Sequence, residues 1–95
     1  MTKQEKHESL IEKFIERKKL SIVEIQKEGK VGFTLASQVY NEWKNYHDEV
    51  YWHGCIYEIS FMDDIPTPTR IMDKFNISYY FAQKLFDYYM EVVNG

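Results

Sequence analysis

The chain is poor in cysteine, proline, glycine and arginine, and each scarcity excludes something. The single cysteine, Cys55, rules out an internal disulfide and fits a reducing compartment. Both prolines fall within one short stretch, DDIPTPT (Asp63 to Thr69), so the remainder is free to form long regular elements. The four glycines are too scattered for a phosphate-cradling loop, and neither a nucleophile elbow nor a paired-cysteine metal motif appears. No apolar run approaches the roughly 20 residues of a membrane span. The opening MTKQEKHESL has no apolar signal-peptide core. These absences predict a cytoplasmic protein that is not an enzyme, needs no cofactor or small-molecule substrate and does not engage a membrane. His47, Asp48, Glu49, His53 and Cys55 lie close in sequence, but their spacing matches no usual zinc site, and no metal is expected.

What is present is apolar and aromatic matter: 44% hydrophobic residues and 17% aromatic. Ninety-five residues suit one domain with a compact core, and this many rings leave some at the surface as contact sites. The net charge of −3 argues against an indiscriminate nucleic-acid binder, but the charge is unevenly spread. Residues 1–47 carry nine Lys/Arg against seven Asp/Glu, a balance of +2; residues 48–95 carry three against eight, a balance of −5. The two halves face different electrostatic partners, or each other. Ten lysines beside two arginines, with abundant Ile, Asn and Tyr, are typical of an AT-rich genome.

Periodicity divides the chain further. Residues 1–7 read as a flexible polar tail. Leu10, Ile11, Phe14 and Ile15 form a helical stripe over Glu8 to Lys19. Ser21 with Glu24 is a capping-box pattern opening a short helix, about Ile22 to Glu28, that buries Ile25 and one of Ile22 and Val23. Gly29 and Gly32 bracket a turn in which one of them is expected to supply a positive φ. A third helix, Phe33 to Tyr46, carries its apolar residues at Phe33, Ala36, Val39, Tyr40 and Trp43. Residues 48–62 are β-prone, with Tyr57, Ile59 and Phe61 alternating against Ile56, Glu58 and Ser60. A two-stranded ribbon turning at His53-Gly54 is expected there. Two further helices, about Thr69 to Phe75 and Ser78 to Val93, close the chain. The predicted fold is therefore mainly α with a small β-ribbon: a single winged-helix-like domain. It comprises a three-helix unit over 8–47, a wing over 48–62 and a second helix-turn-helix-like pair over 68–95. An all-helical bundle with residues 50–62 helical is the structural alternative.

Within this order, LSIVEIQKEGKVGFTLASQVYNEWK, Leu20 to Lys44, resembles the C-terminal winged-helix (gamma) domain of FtsK/SpoIIIE-type DNA translocases. The matching positions are Ser21, Ile25-Gln26-Lys27, Lys30, the small-aromatic pair Gly32-Phe33 and Ala36. The resemblance implies a DNA-binding helix-turn-helix whose third helix enters the major groove. One departure matters: Leu35 and Gln38 stand where that family places guanine-reading arginines, and Thr34 where it has Asn. DNA contact would then rest on Lys27, Lys30, Thr34, Ser37, Gln38, Asn41 and Lys44, a set suited to phosphates and to an adenine through Gln38 or Asn41.

The helix pair recurs 46 residues later: Ile25 aligns with Ile71, Val31 with Ile77, Gly32 with Ser78, Phe33 with Tyr79, Ala36 with Ala82, Val39 with Leu85, Tyr40 with Phe86 and Trp43 with Tyr89. In the second copy Tyr79 and Tyr89 are expected on the buried stripe. Its outer face bears tyrosines and acid, which repel phosphate and favour protein. Trp52, Tyr80, Lys84, Asp87 and Tyr88 are therefore the candidate partner-binding residues, for a larger protein or for self-association through the last helix. Stacking of single-stranded bases on the tyrosines and Trp52 is a third reading. Two functions emerge as expectations. The first is a small DNA-binding regulator or accessory subunit of a replication or recombination enzyme, of the kind carried by phages and other mobile elements, acting on duplex or single-stranded DNA. The second is a protein-interaction module (adaptor, inhibitor or obligate subunit) docking through its acidic, tyrosine-rich C-terminal half.

Overall fold

Residues 2–95 are described by a computed structural model, and their regular elements are six α-helices: α1 Lys3–Phe14, α2 Ile22–Gly29, α3 Phe33–Tyr46, α4 Glu49–Ile59, α5 Pro68–Phe75 and α6 Tyr79–Asn94. They form two compact units, one ending at His47 and the other running from Asp48 to Gly95, each of three helices.

Local chemistry sets the helix starts. Thr2 and Glu5 form a reciprocal capping box, so α1 begins at Lys3 rather than near Glu8. The Ser21, Asp48, Thr67 and Ser78 side chains each accept a backbone N–H from the first turn of α2, α4, α5 and α6. Pro68 opens α5, where its missing N–H costs nothing, although both prolines were expected in a loop.

In the first unit Ile11, Phe14, Ile15, Ile25, Ala36 and Val39 have no exposed surface, and α3 packs on both α1 and α2. Each large apolar side chain so buried contributes about 1.5–3 kcal/mol. Two contacts clamp the α1–α2 connection to the end of α3: Trp43 Nε1 donates to the Arg17 carbonyl at 2.7 Å, and His47 Nε2 lies 2.7 Å from the Ile15 carbonyl. Arg17 grips both Glu28 carboxylate oxygens at 2.8 and 2.9 Å, with its guanidinium 4.6 Å from the Phe14 ring. The pair raises the Arg17 pKa and lowers that of Glu28.

The α2–α3 turn departs from expectation. Its positive φ belongs to Lys30 (55°), and no glycine among the described residues has one. Gly29 is needed for closeness instead, since a Cβ there would lie 2.6 Å from Leu10 Cδ2. Of the apolar residues expected to be buried, Val23 is exposed and Phe33 is 64% exposed; Ile22 is half-buried.

The second unit overturns the wing. No strand is present among the described residues, and 49–59 are helical, so the β-ribbon and with it the winged-helix architecture are incorrect. Asp48 caps the segment, and a helical stripe of Cys55 and Ile59, with half-buried Tyr51 and Trp52, packs against α6. Burial of that stripe outweighs the β-propensity of Val50, Tyr51, Ile56 and Tyr57. His53 and Gly54 lie inside the helix, not at a turn. Tyr51 and Trp52 reach the Phe81 ring at 5.8 and 5.6 Å between centroids, and Ile71, Phe81, Ala82 and Leu85 are fully buried. Tyr79, expected on the buried stripe, is 46% exposed.

Candidate nucleic-acid interface

The site expected on the first unit is a helix pair joined by three residues, Lys30 to Gly32. Ser21 fixes the start of α2. The left-handed backbone at Lys30 stops it, aided by the Val31 N–H bond to the Gln26 carbonyl at 3.3 Å, and α3 restarts at Phe33. Ala36 is fully buried, and α3 packs on α2. The result is two packed helices joined by a tight three-residue turn.

Six of the seven predicted contact residues are exposed: Lys27, Lys30, Thr34, Gln38, Asn41 and Lys44; Ser37 is half-buried. Thr34, Ser37, Gln38 and Asn41 follow the i, i+3, i+4, i+7 spacing that places them on one face of α3. Among the described residues neither Lys27, Lys30 nor Lys44 is ion-paired; the Lys44 ammonium lies 5.9 Å from the Tyr40 ring centroid. Arg17, by contrast, is committed to Glu28. The outer edge of this unit therefore presents three uncommitted ammonium groups and the side-chain amides of Gln38 and Asn41.

The repeat is more extensive than the helix pair. At the same offset of 46, the helix starts correspond (Lys3 with Glu49, Ile22 with Pro68, Phe33 with Tyr79) and so do the N-caps (Thr2 with Asp48, Ser21 with Thr67, Gly32 with Ser78). Lys30 and Asn76 share the left-handed conformation, at φ 55° and 53°. The pairs Ile25/Ile71, Ala36/Ala82 and Val39/Leu85 are all fully buried. The chemistry of the outer edge is not repeated. Lys27, Lys30, Thr34, Gln38, Asn41 and Lys44 correspond to Asp73, Asn76, Tyr80, Lys84, Asp87 and Met90. Along α6 the Tyr79 hydroxyl donates to Gln83, whose amide donates to Asp87 at 3.1 Å, and the Lys84 ammonium lies 5.4 Å from the Tyr80 ring.

The five expected partner-binding residues differ in exposure. Trp52 and Tyr88 are half-buried and packed edge-to-face at 5.7 Å, so they belong to the packing of α4 on α6. Lys84 and Asp87 are exposed and Tyr80 is half-buried. Among the exposed apolar residues that sequence reading missed, three lie on α4 and just beyond it: Val50 (79%), Tyr57 (67%) and Phe61 (70%). Their i, i+7, i+11 spacing was present in the sequence, but read as strand alternation it could not reveal a helical stripe.

The potential metal ligands are not assembled. His53 is exposed while Cys55 is buried on the other side of α4, where burial pushes the thiol up to about 11 against a hydrogen bond from Tyr51. No cluster of three or more His, Cys, Asp or Glu able to hold a metal occurs among the described residues. Among those residues, no helix is long and apolar enough to cross a membrane. No known family's sequence profile matches this chain, and neither the curated proteins nor the solved structures show a significant likeness to it.

Proposed function

We propose that the protein is a non-catalytic DNA-binding protein that holds duplex DNA through its first unit, with α3 directed into the major groove and Lys27, Lys30 and Lys44 on phosphates. The single observation behind this reading is the exposed edge of the α2–turn–α3 pair, whose lysines have no carboxylate partner among the described residues while its amides line one helix face. Gln38 and Asn41 are the base-reading candidates, since a side-chain amide can pair with both Hoogsteen-edge groups of adenine. The resemblance of residues 20–44 to the DNA-binding domain of the translocases supports the same assignment. The DNA-bound protein acts as a regulator or as an accessory subunit of a replication or recombination enzyme of a phage or other mobile element. Duplex is favoured over single-stranded DNA because two of the rings considered for base stacking, Trp52 and Tyr88, pack on each other.

The test is fluorescence anisotropy of labelled duplex and single-stranded DNA at low salt. Duplex binding is expected, with log K falling against log salt at a slope of about −2 to −3 for three phosphate contacts. Changing Lys27, Lys30 and Lys44 together to alanine should abolish binding and leave the helical content unchanged. Failure of both DNA forms to bind at micromolar protein, or indifference to the triple change, would remove the nucleic-acid role.

A further inference from the structure

We infer that the exposed face of α4 is a docking surface for a basic amphipathic helix of a partner protein. This face is separate from the nucleic-acid edge and does not depend on it.

Three observations carry the inference. The first is a continuous apolar stripe: Val50, Gly54, Tyr57 and Phe61 recur at i, i+4, i+7 and i+11, and the three with side chains of any size are each at least two-thirds exposed. The Tyr57 and Phe61 rings pair at 4.9 Å between centroids, so they offer one contiguous aromatic surface. At the same offset of 46, Ile11 and Ile15 of α1 are fully buried in the first unit. The second unit places apolar residues outside where the first unit buries them.

The second observation is shape. A shallow depression of about 310 Å³ opens between α4 and α5, lined by Tyr57, Glu58, Phe61 and Lys74. At Gly54, midway along the stripe, an added Cβ would meet nothing within 4 Å, so another backbone can approach closely there. A bulky side chain of an incoming helix can enter the depression while its backbone passes over the glycine.

Charge selects the occupant. From Asn45 to Thr69 the sequence contains five carboxylates and no Lys or Arg. Glu49 and Glu58 flank the stripe on α4, with Asp63 just beyond its end, while Asp64 is occupied by Arg70 at 2.9 Å. Lys74 is the cation lining the depression, with its ammonium 5.8 Å from the Phe75 ring. An acidic rim around an apolar stripe attracts a helix with lysines or arginines beside its apolar face. The same rim disfavours a second copy of this chain in a two-fold contact, because each carboxylate would meet its like. It also repels nucleic acid and anionic bilayers.

Titration of the full chain against a fluorescein-labelled amphipathic Lys/Leu helical peptide tests the proposal, with a Glu/Leu peptide of the same pattern and a scrambled Lys/Leu peptide as controls. Saturable binding of the Lys/Leu peptide alone is expected. It should be weakened at least about tenfold by Tyr57→Ser with Phe61→Ser, and separately by Glu49→Lys with Glu58→Lys, each tenfold being about 1.4 kcal/mol. Because these side chains are exposed, both variants should keep the wild-type helical signal, and DNA binding should not change. Equal binding of the Glu/Leu or scrambled peptide, undiminished binding by the two variants, or self-association of the wild type that these substitutions abolish would each overturn the proposal.

Discussion

Replacing Gly54 by alanine is expected to stabilise the second unit by about 1 kcal/mol. Glycine in an exposed helix interior is less favourable than alanine by about 0.8–1 kcal/mol, because the unfolded chain loses more freedom at that position. Gly54 lies within α4, is exposed and has a negative φ; an added Cβ would touch nothing within 4 Å, so no packing cost offsets the gain. A hairpin turn at His53-Gly54 gives the opposite sign. There the glycine would adopt a positive φ, and alanine would cost about 1 kcal/mol or more. The two architectures therefore differ by about 2 kcal/mol in one substitution. The chain's two tryptophans fall one in each unit, so urea unfolding of a Trp43→Phe background, followed by Trp52 emission, reports the second unit. With m of about 1–3 kcal/mol/M, the midpoint should rise by about 0.3–1 M at unchanged m. A midpoint that falls, or stays put, would refute a helical α4. Gly29→Ala is the internal contrast. Its Cβ would press on Leu10 Cδ2 at 2.6 Å inside the core, and overpacking of about 1–3 kcal/mol cancels or exceeds the helical gain.

Three further outcomes follow from particular residues. The Glu42 carboxylate, 3.3 Å from His7 Nε2 though not aligned as a hydrogen bond, raises the His7 pKa above 6.5; burial opposes it and Glu8 adds to it. Protonated His7 is thus favoured in the folded state. Its contribution is complete below about pH 6.5 and is lost as pH rises through the higher folded value. Urea midpoints of the first unit should fall over that window, and His7→Gln should flatten the profile. Cys55, buried and with its pKa near 11, should react with a thiol reagent at neutral pH only as fast as the second unit opens, at a rate that climbs with urea. Lys30→Gly should stabilise the first unit by up to about 1 kcal/mol by relieving the left-handed backbone, while weakening duplex DNA binding in anisotropy.

The α2–α3 pair was legible because its signals are local: Ser21 caps, and Ile25, Ala36 and Val39 keep the helical period. The candidate contact residues came out exposed because they alternate with that period, so placing the buried stripe also places its opposite face. Residues 48–62 were not legible. Val50, Tyr51, Ile56 and Tyr57 favour strands, and Tyr57, Ile59 and Phe61 satisfy a period of two as well as Cys55 and Ile59 satisfy a helical one. The decision is made by packing on α6, which is remote in sequence. The positive φ at Lys30 was missed for a different reason. Glycine is the residue that visits that region freely, yet Gly29 is required by contact with Leu10, and the left-handed conformation passes to its neighbour.

The repeat supplies the last step. The two units share helix starts, N-cap positions, a left-handed turn residue and three fully buried pairs at one offset of 46. At other positions the units differ, and they do so in opposite senses. The first keeps lysines and amides on its α3 edge and buries Ile11 of its leading helix and Ile15 just past it; the second carries Asp73 and Asp87 on the equivalent edge and exposes Tyr57 of its leading helix and Phe61 just past it. Segregation of cationic surface to one and acid-rimmed apolar surface to the other matches two separate ligands, a polyanion and a cationic amphipathic protein segment. Moving the cationic edge tests whether the scaffold is neutral to its cargo: Asp73→Lys, Asn76→Lys and Met90→Lys together should confer salt-dependent duplex binding on a protein whose Lys27, Lys30 and Lys44 are alanine. If that transplant restores no binding while the second unit remains folded, the shared scaffold is not what presents the nucleic-acid edge, and the correspondence between the units has no functional meaning.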